Sequence, residues 1–128
     1  MKVYELPFGR INIIEKKLAE VIINDGVEMN VDMVEVYHQF LLQHLEAPFS
    51  LLVNKINSYS YTFDAQLKIA GLKEIDYMAV VIYKFSTEMA TKILIDINRG
   101  NDWNINLFKN REEALEWLSI VRNNSKAI

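Results

Sequence analysis

Apolar residues open the chain in three short runs, VYEL, RINII and LAEVII, broken by Pro7-Phe8-Gly9 and by Glu15-Lys16-Lys17. Short β-branched runs separated by turn residues predict hairpin-linked strands. Asn24-Asp25-Gly26 closes this section with a turn. From Asn30 to Leu45 the spacing changes to three and four. Met33, Tyr37, Phe40, Leu41, His44 and Leu45 fall on one face, and Asp32, Glu35, Gln39, Gln43 and Glu46 on the other. That period predicts an amphipathic helix, with Asn30 as its cap, Asp32 and Glu35 at the positive end of its dipole, and Pro48 beyond its stop.

FSLLV from Phe49 to Val53 is apolar over strand length, as expected for a covered central strand. NKINSYSYTFDAQ follows, leading into a second helix from about Phe63 to Leu72 that would pack Phe63, Leu67 and Ala70 inward. YMAVVIY, residues 77 to 83, predicts another buried strand. A third helix is expected near Ser86 as cap, with Glu88 in its first turn, Met89, Ala90, Ile93, Leu94 and Ile97 facing the core, and Gly100 ending it. Ile105 to Phe108 is a short strand. Asn110 with Glu113 then starts a last helix whose Ala114, Leu115, Trp117, Leu118 and Val121 face inward. Strands alternating with helices after residue 30 require right-handed crossovers. The fold class is α/β, a mixed sheet of N-terminal antiparallel strands and βαβα repeats with four helices, in one domain over residues 1–128.

Composition narrows the function classes. Hydrophobic residues make up 51% and charged ones 24%, with only 4 Gly and 2 Pro, so no low-complexity linker is present and no domain boundary is placed. A net charge of −3 with scattered lysines and arginines gives no basic face for phosphates, which argues against nucleic acid. Zero Cys removes disulfides, thiol nucleophiles and thiolate metal sites, and makes cytoplasm the default location. The longest apolar stretches fall short of the ~20 residues a spanning helix needs. MKVYELPFGR lacks the apolar core of a signal peptide, so a soluble, unprocessed protein is expected.

Candidate chemistry is sparse. His38 and His44, six apart on one helix, point about 240° apart and cannot chelate one metal together. His44 falls on the apolar face, the place of a core or interface histidine. Glu28, Asp32, Glu35, Asp96 and Asp102 occupy capping, turn and polar-face positions and are read as solvated. No GxSxG, GxGxxG or GKS motif occurs, so neither an enzyme nor a bound cofactor or metal is expected. In SYSYTF, alternate side chains of an extended segment would put Tyr59, Tyr61 and Phe63 on one side, where they either cover the edge of the core or form an aromatic lip over a ligand groove or partner surface. Thr62 is either a helix cap or, with Ser60, a phosphoacceptor at a helix N-terminus; Asp64 would repel a phosphate there.

LAEVIINDGVEMNVDMV, PFSLLVNKINSYSYTFDA, DYMAVVIYKFS and NLFKNREEALEWL, taken in order over most of Arg10 to Leu118, resemble the SpoIIAA-like branch of the STAS family. The resemblance implies a mixed sheet with helices mostly on one side. It also implies a bacterial regulatory module that binds a protein partner through the loop and start of the second helix, residues 57 to 66, with Tyr59, Ser60, Tyr61, Thr62 and Asp64 as contacts. In antagonist members a phosphorylated Ser or Thr after an Asp switches binding; Thr62-Phe63-Asp64 stands there, without the Asp-Ser pair or the following Gly. The branch is also similar to Sec14-type lipid-transfer domains, which gives a second expectation: a small apolar ligand in a cleft lined by Tyr59, Tyr61, Met78 and Trp103. Self-association is a third, C2 dimers being the commonest assembly.

Overall fold

A computed structural model describes residues 1–101 and 103–126; Asp102 lies outside them. Strands β1 (Lys2–Leu6), β2 (Gly9–Glu15) and β3 (Leu18–Ile23) form an antiparallel meander. A two-residue strand β4 (Glu28–Met29) and helix α1 (Val31–His44) follow, then β5 (Phe49–Lys55), β6 (Ser60–Tyr61), α2 (Phe63–Lys68), β7 (Ile75–Ile82), α3 (Phe85–Ile97), β8 (Ile105–Phe108) and α4 (Arg111–Lys126). The main sheet has the order β1-β2-β3-β5-β7-β8, with β3, β5, β7 and β8 mutually parallel. The expected α/β class with a mixed sheet and four helices is therefore observed; the pair β4-β6 is an addition that two-residue runs do not announce.

Each parallel crossover steps in the same direction along the sheet. Right-handed connections then place α1, α2 and α3 on one face, and α4 covers the other. Alternation along the strands serves both layers. Val21, Phe49, Leu51, Val53, Met78 and Val80 point to the three-helix face, with Val34, Tyr37, Leu41, Ala65 and Leu94 above them. Leu18, Leu52, Ala79 and Val81 point the other way, against Ala114 and Leu118 of α4. The β1-β2 turn brings Gly9 against the carbonyl of Ile22, where a Cβ has no room. Gly26, at φ 77°, takes the left-handed conformation that the Asn24-Asp25-Gly26 turn requires.

Three helix faces differ from expectation. In α1 the buried line is Val34, Tyr37, His38 and Leu41, so His38 is the core histidine. His44 is exposed: its Nδ1 lies 3.0 Å from the Phe40 carbonyl, and its ring stacks on Phe40 beside Tyr4. Burial is the chief influence on His38 and holds its pKa below the usual 6.5. In α2, which ends at Lys68, Phe63 and Leu67 point outward while Ala65, with Ile69 just beyond the helix, fills the core. In α3 the helix starts at Phe85 after Lys84, with no side-chain cap, and Ser86 lies inside its first turn. Its C-cap is Asn98, ahead of Gly100. Of the residues expected inward, Leu94 is buried, but Met89, Ala90, Ile93 and Ile97 are exposed; Thr91 and Asn98 take their place in the interior.

Candidate functional site

The SYSYTF segment is held by the turn it faces. Gly26 N donates to the Ser58 carbonyl at 2.7 Å, Ser60 N to Val27 O at 3.0 Å and Thr62 N to Met29 O at 2.9 Å. Asp25 Oδ1 accepts from Ser58 N at 2.9 Å. With this ladder set, alternation turns Ser60 to solvent and Tyr59 and Tyr61 toward the core. Phe63 does not share their side, because the backbone becomes helical there and swings its ring outward. Thr62 is the cap: its Oγ1 accepts from Ala65 N at 3.3 Å, an interaction contributing about 1 kcal/mol. Asp64 is exposed in the first turn of α2.

Tyr59, Tyr61, Met78 and Trp103, the four residues expected to line a cleft, do border one chamber on the three-helix face. Its volume is about 30 Å³, the room of a single water-sized group. Lys55 enters it from the end of β5, in the same alternation as Phe49, Leu51 and Val53. Its Nζ lies 5.3 Å from the Tyr59 ring centre and 5.8 Å from that of Tyr61, and donates to Thr91 Oγ1 at 3.2 Å. Thr91 Oγ1 in turn donates to the Thr87 carbonyl at 2.7 Å. Among the described residues no carboxylate lies within ion-pair distance of this ammonium. Burial pushes the Lys55 pKa down to about 8. Burial pushes Tyr59 and Tyr61 up, Tyr59 further by the neighbouring phenol. The two phenols lie close, rings 5.7 Å apart, yet the buried Tyr59 hydroxyl has no hydrogen-bond partner of acceptable geometry.

On the opposite face a second polar cluster crosses the sheet. Glu20, in the middle of β3, receives Arg111 Nε on Oε2 and Nη2 on Oε1, both at 3.0 Å, and Asn54 Nδ2 on Oε2 at 3.0 Å. Asn12 Nδ2 lies 3.5 Å from Oε1. Burial alone would raise the Glu20 pKa, but the bonds from Arg111 and Asn54, the guanidinium charge and Asn12 together bring it below its usual 4.5. The group ties the first residue of α4 to three strands.

The third feature is an apolar row on the outer side of α3. Phe85, Met89, Ile93 and Ile97 recur every four residues, with Phe85 77% and Ile93 58% exposed. Phe63, 70% exposed, and Leu67 add apolar surface on α2, which sits beside the end of α3 through the bond from Asn98 Nδ2 to Gln66 O, 2.8 Å. Sequence reading missed Lys55, Glu20 and this row. The first two carry a signal in retrospect: single charges in otherwise apolar strands, at positions whose alternation points them inward. Among the described residues no group of three or more His, Cys, Asp or Glu is placed to hold a metal, and no helix is long and apolar enough to cross a membrane. Comparison with protein-family models, with characterised proteins and with solved structures gives no match.

Proposed function

We propose that the chain is a non-enzymatic, cytoplasmic protein-protein interaction module of SpoIIAA-like type, whose contact surface is the start of α2 and the outer side of α3. The supporting observation is the exposed row Phe85, Met89, Ile93, Ile97, with Phe63 exposed on the adjoining helix α2. Single exposed apolar residues need no explanation, whereas a run along a whole helix marks an interaction surface. Ser60 and Asp64, both exposed, are its polar contacts around the start of α2, so the contact moves from the tyrosines to the residues that face solvent. The absence of Cys makes a direct test available. Single cysteines substituted for Phe85, Met89 or Ile93 are expected to label more slowly in the native cell than in dilute purified protein, while one replacing exposed Glu116 on α4 labels equally in both. Equal labelling at all four positions contradicts the reading.

A second reading rests on the Lys55 chamber. An ammonium without a counter-ion among the described residues, beside an unpartnered Tyr59 hydroxyl, suits a small anion better than a lipid chain, which about 30 Å³ does not hold. Native mass spectrometry that finds only the bare chain removes it.

A further inference from the structure

The outer side of α3 carries a second pattern beside its apolar row. Each apolar residue follows a charged one, giving Lys84-Phe85, Glu88-Met89, Lys92-Ile93 and Asp96-Ile97, so charge alternates in sign every four residues along one flank. At about 100° per residue these charges stay on the same side of the row. Glu88 and Lys92 are already paired within the helix, Nζ to Oε2 3.1 Å.

Such a flank reads differently in its two directions. Set parallel beside a second copy about a two-fold axis along the helices, the two flanks fall on opposite edges of the apolar seam and do not meet. Set antiparallel about a two-fold axis near Ala90 and Thr91, it places Glu88 opposite the second copy's Lys92, and Lys84 opposite its Asp96. The same axis brings Phe85 over Ile97 and Met89 over Ile93 of the other copy. A two-fold axis normal to the plane of the helix pair keeps both flanks on the same side, so the charged pairs line one edge of the apolar seam. We propose that α3 pairs antiparallel with α3 of a second copy, forming an isologous dimer with Met89 and Ile93 at its centre. The inference rests on the interaction-module reading and names its partner: another molecule of this chain. Only in the antiparallel arrangement do the two flanks meet, and there they meet with opposite charges, which favours it.

The helix spans about 20 Å, so the contact lies at the small end of interface sizes and association is read between about 1 μM and 1 mM. Sedimentation velocity should show a concentration-dependent dimer for the wild type. Glu88→Lys alone and Lys92→Glu alone should each weaken it at least tenfold, since each sets like charges face to face. Mixing the two variants should restore dimer, because one chain then carries two lysines and the other two glutamates at the facing positions. The double exchange Glu88→Lys, Lys92→Glu should also dimerise. Ile93→Asp, at a solvent-facing position, should be monomeric and folded by circular dichroism, an independent variant should either charge change disturb the helix. A wild type monomeric at about 1 mM, single variants that associate like wild type, or a mixture that stays monomeric would overturn the self-pairing. In the first case, slowed labelling in the cell of the cysteines substituted for Phe85 and Ile93 would still uphold the wider reading, and its absence would end both.

Discussion

Arg111→Met is expected to lower the unfolding free energy by about 3 kcal/mol at neutral pH, the low end for a broken buried ion pair. The asymmetry of the pair sets this size: the Glu20 side chain is 5% exposed and that of Arg111 42%. Removing Arg111 strands a carboxylate in the interior with only Asn54 and a long contact from Asn12. Removing the carboxylate's charge instead leaves a guanidinium that water can reach. Glu20→Gln should therefore cost about 1 kcal/mol or less. Its new amide can also donate to the buried Asn12 and Asn54 carbonyl oxygens, which lack partners. In Glu20→Gln, Arg111→Met most of the loss should return. The pH dependence has a definite sign. The Glu20 pKa is lower folded than unfolded, so its contribution is present above 4.5 and is lost as pH falls through the depressed folded value. Urea unfolding of the three variants checks this; an Arg111→Met cost under about 1 kcal/mol contradicts the network's role.

Lys55→Met is expected to raise stability at pH 7 by about 2 kcal/mol. A shift from 10.5 to about 8 corresponds to about 3 kcal/mol of desolvation, of which the two tyrosine faces return about 1. Methionine keeps the apolar stem and drops the charge. Below pH 8 the lysine is protonated in both folded and unfolded chains and the whole penalty stands. Between 8 and 10.5 the unfolded chain holds more protons, so the wild type gains stability relative to the variant and the gap narrows. Paired unfolding curves at about pH 7, 8.5 and 10 read the difference. A gap that stays constant, or a methionine variant less stable than wild type, would show that the chamber holds the ammonium at no cost.

The strands of the main sheet and three of the four expected caps were legible in the sequence because they depend on local chemistry; Ser86 and the β4-β6 pair are the exceptions. β8 begins and ends where its apolar run does, and Asn30, Thr62 and Asn110 each accept the backbone N–H three residues on. Helix faces were less legible, and α3 shows why. Periodicity assigns Met89, Ala90, Ile93, Leu94 and Ile97 to the core, yet of these only Leu94 is buried, beside Thr91 and Asn98. Thr91 donates to the Thr87 carbonyl and Asn98 to the Leu94 carbonyl, so both bury polar groups at little cost within their own helix. That leaves the apolar line for the outside. His38 and His44 exchanged roles for a related reason: a shift of one residue in the buried line of α1 swaps them. The tyrosines could not be oriented in advance, because their direction is set by the ladder to Val27 and Met29, about thirty residues away.

The central claim is that a protein docks on the outer side of α3. A photoreactive amino acid at Ile93, activated in the native cell, tests it most directly against the same group at Glu116. The account predicts a discrete cross-linked band from position 93, lost when Phe85→Asp is added, and none from 116. Equal yields from the two positions, or a band at 93 indifferent to Phe85, would contradict it.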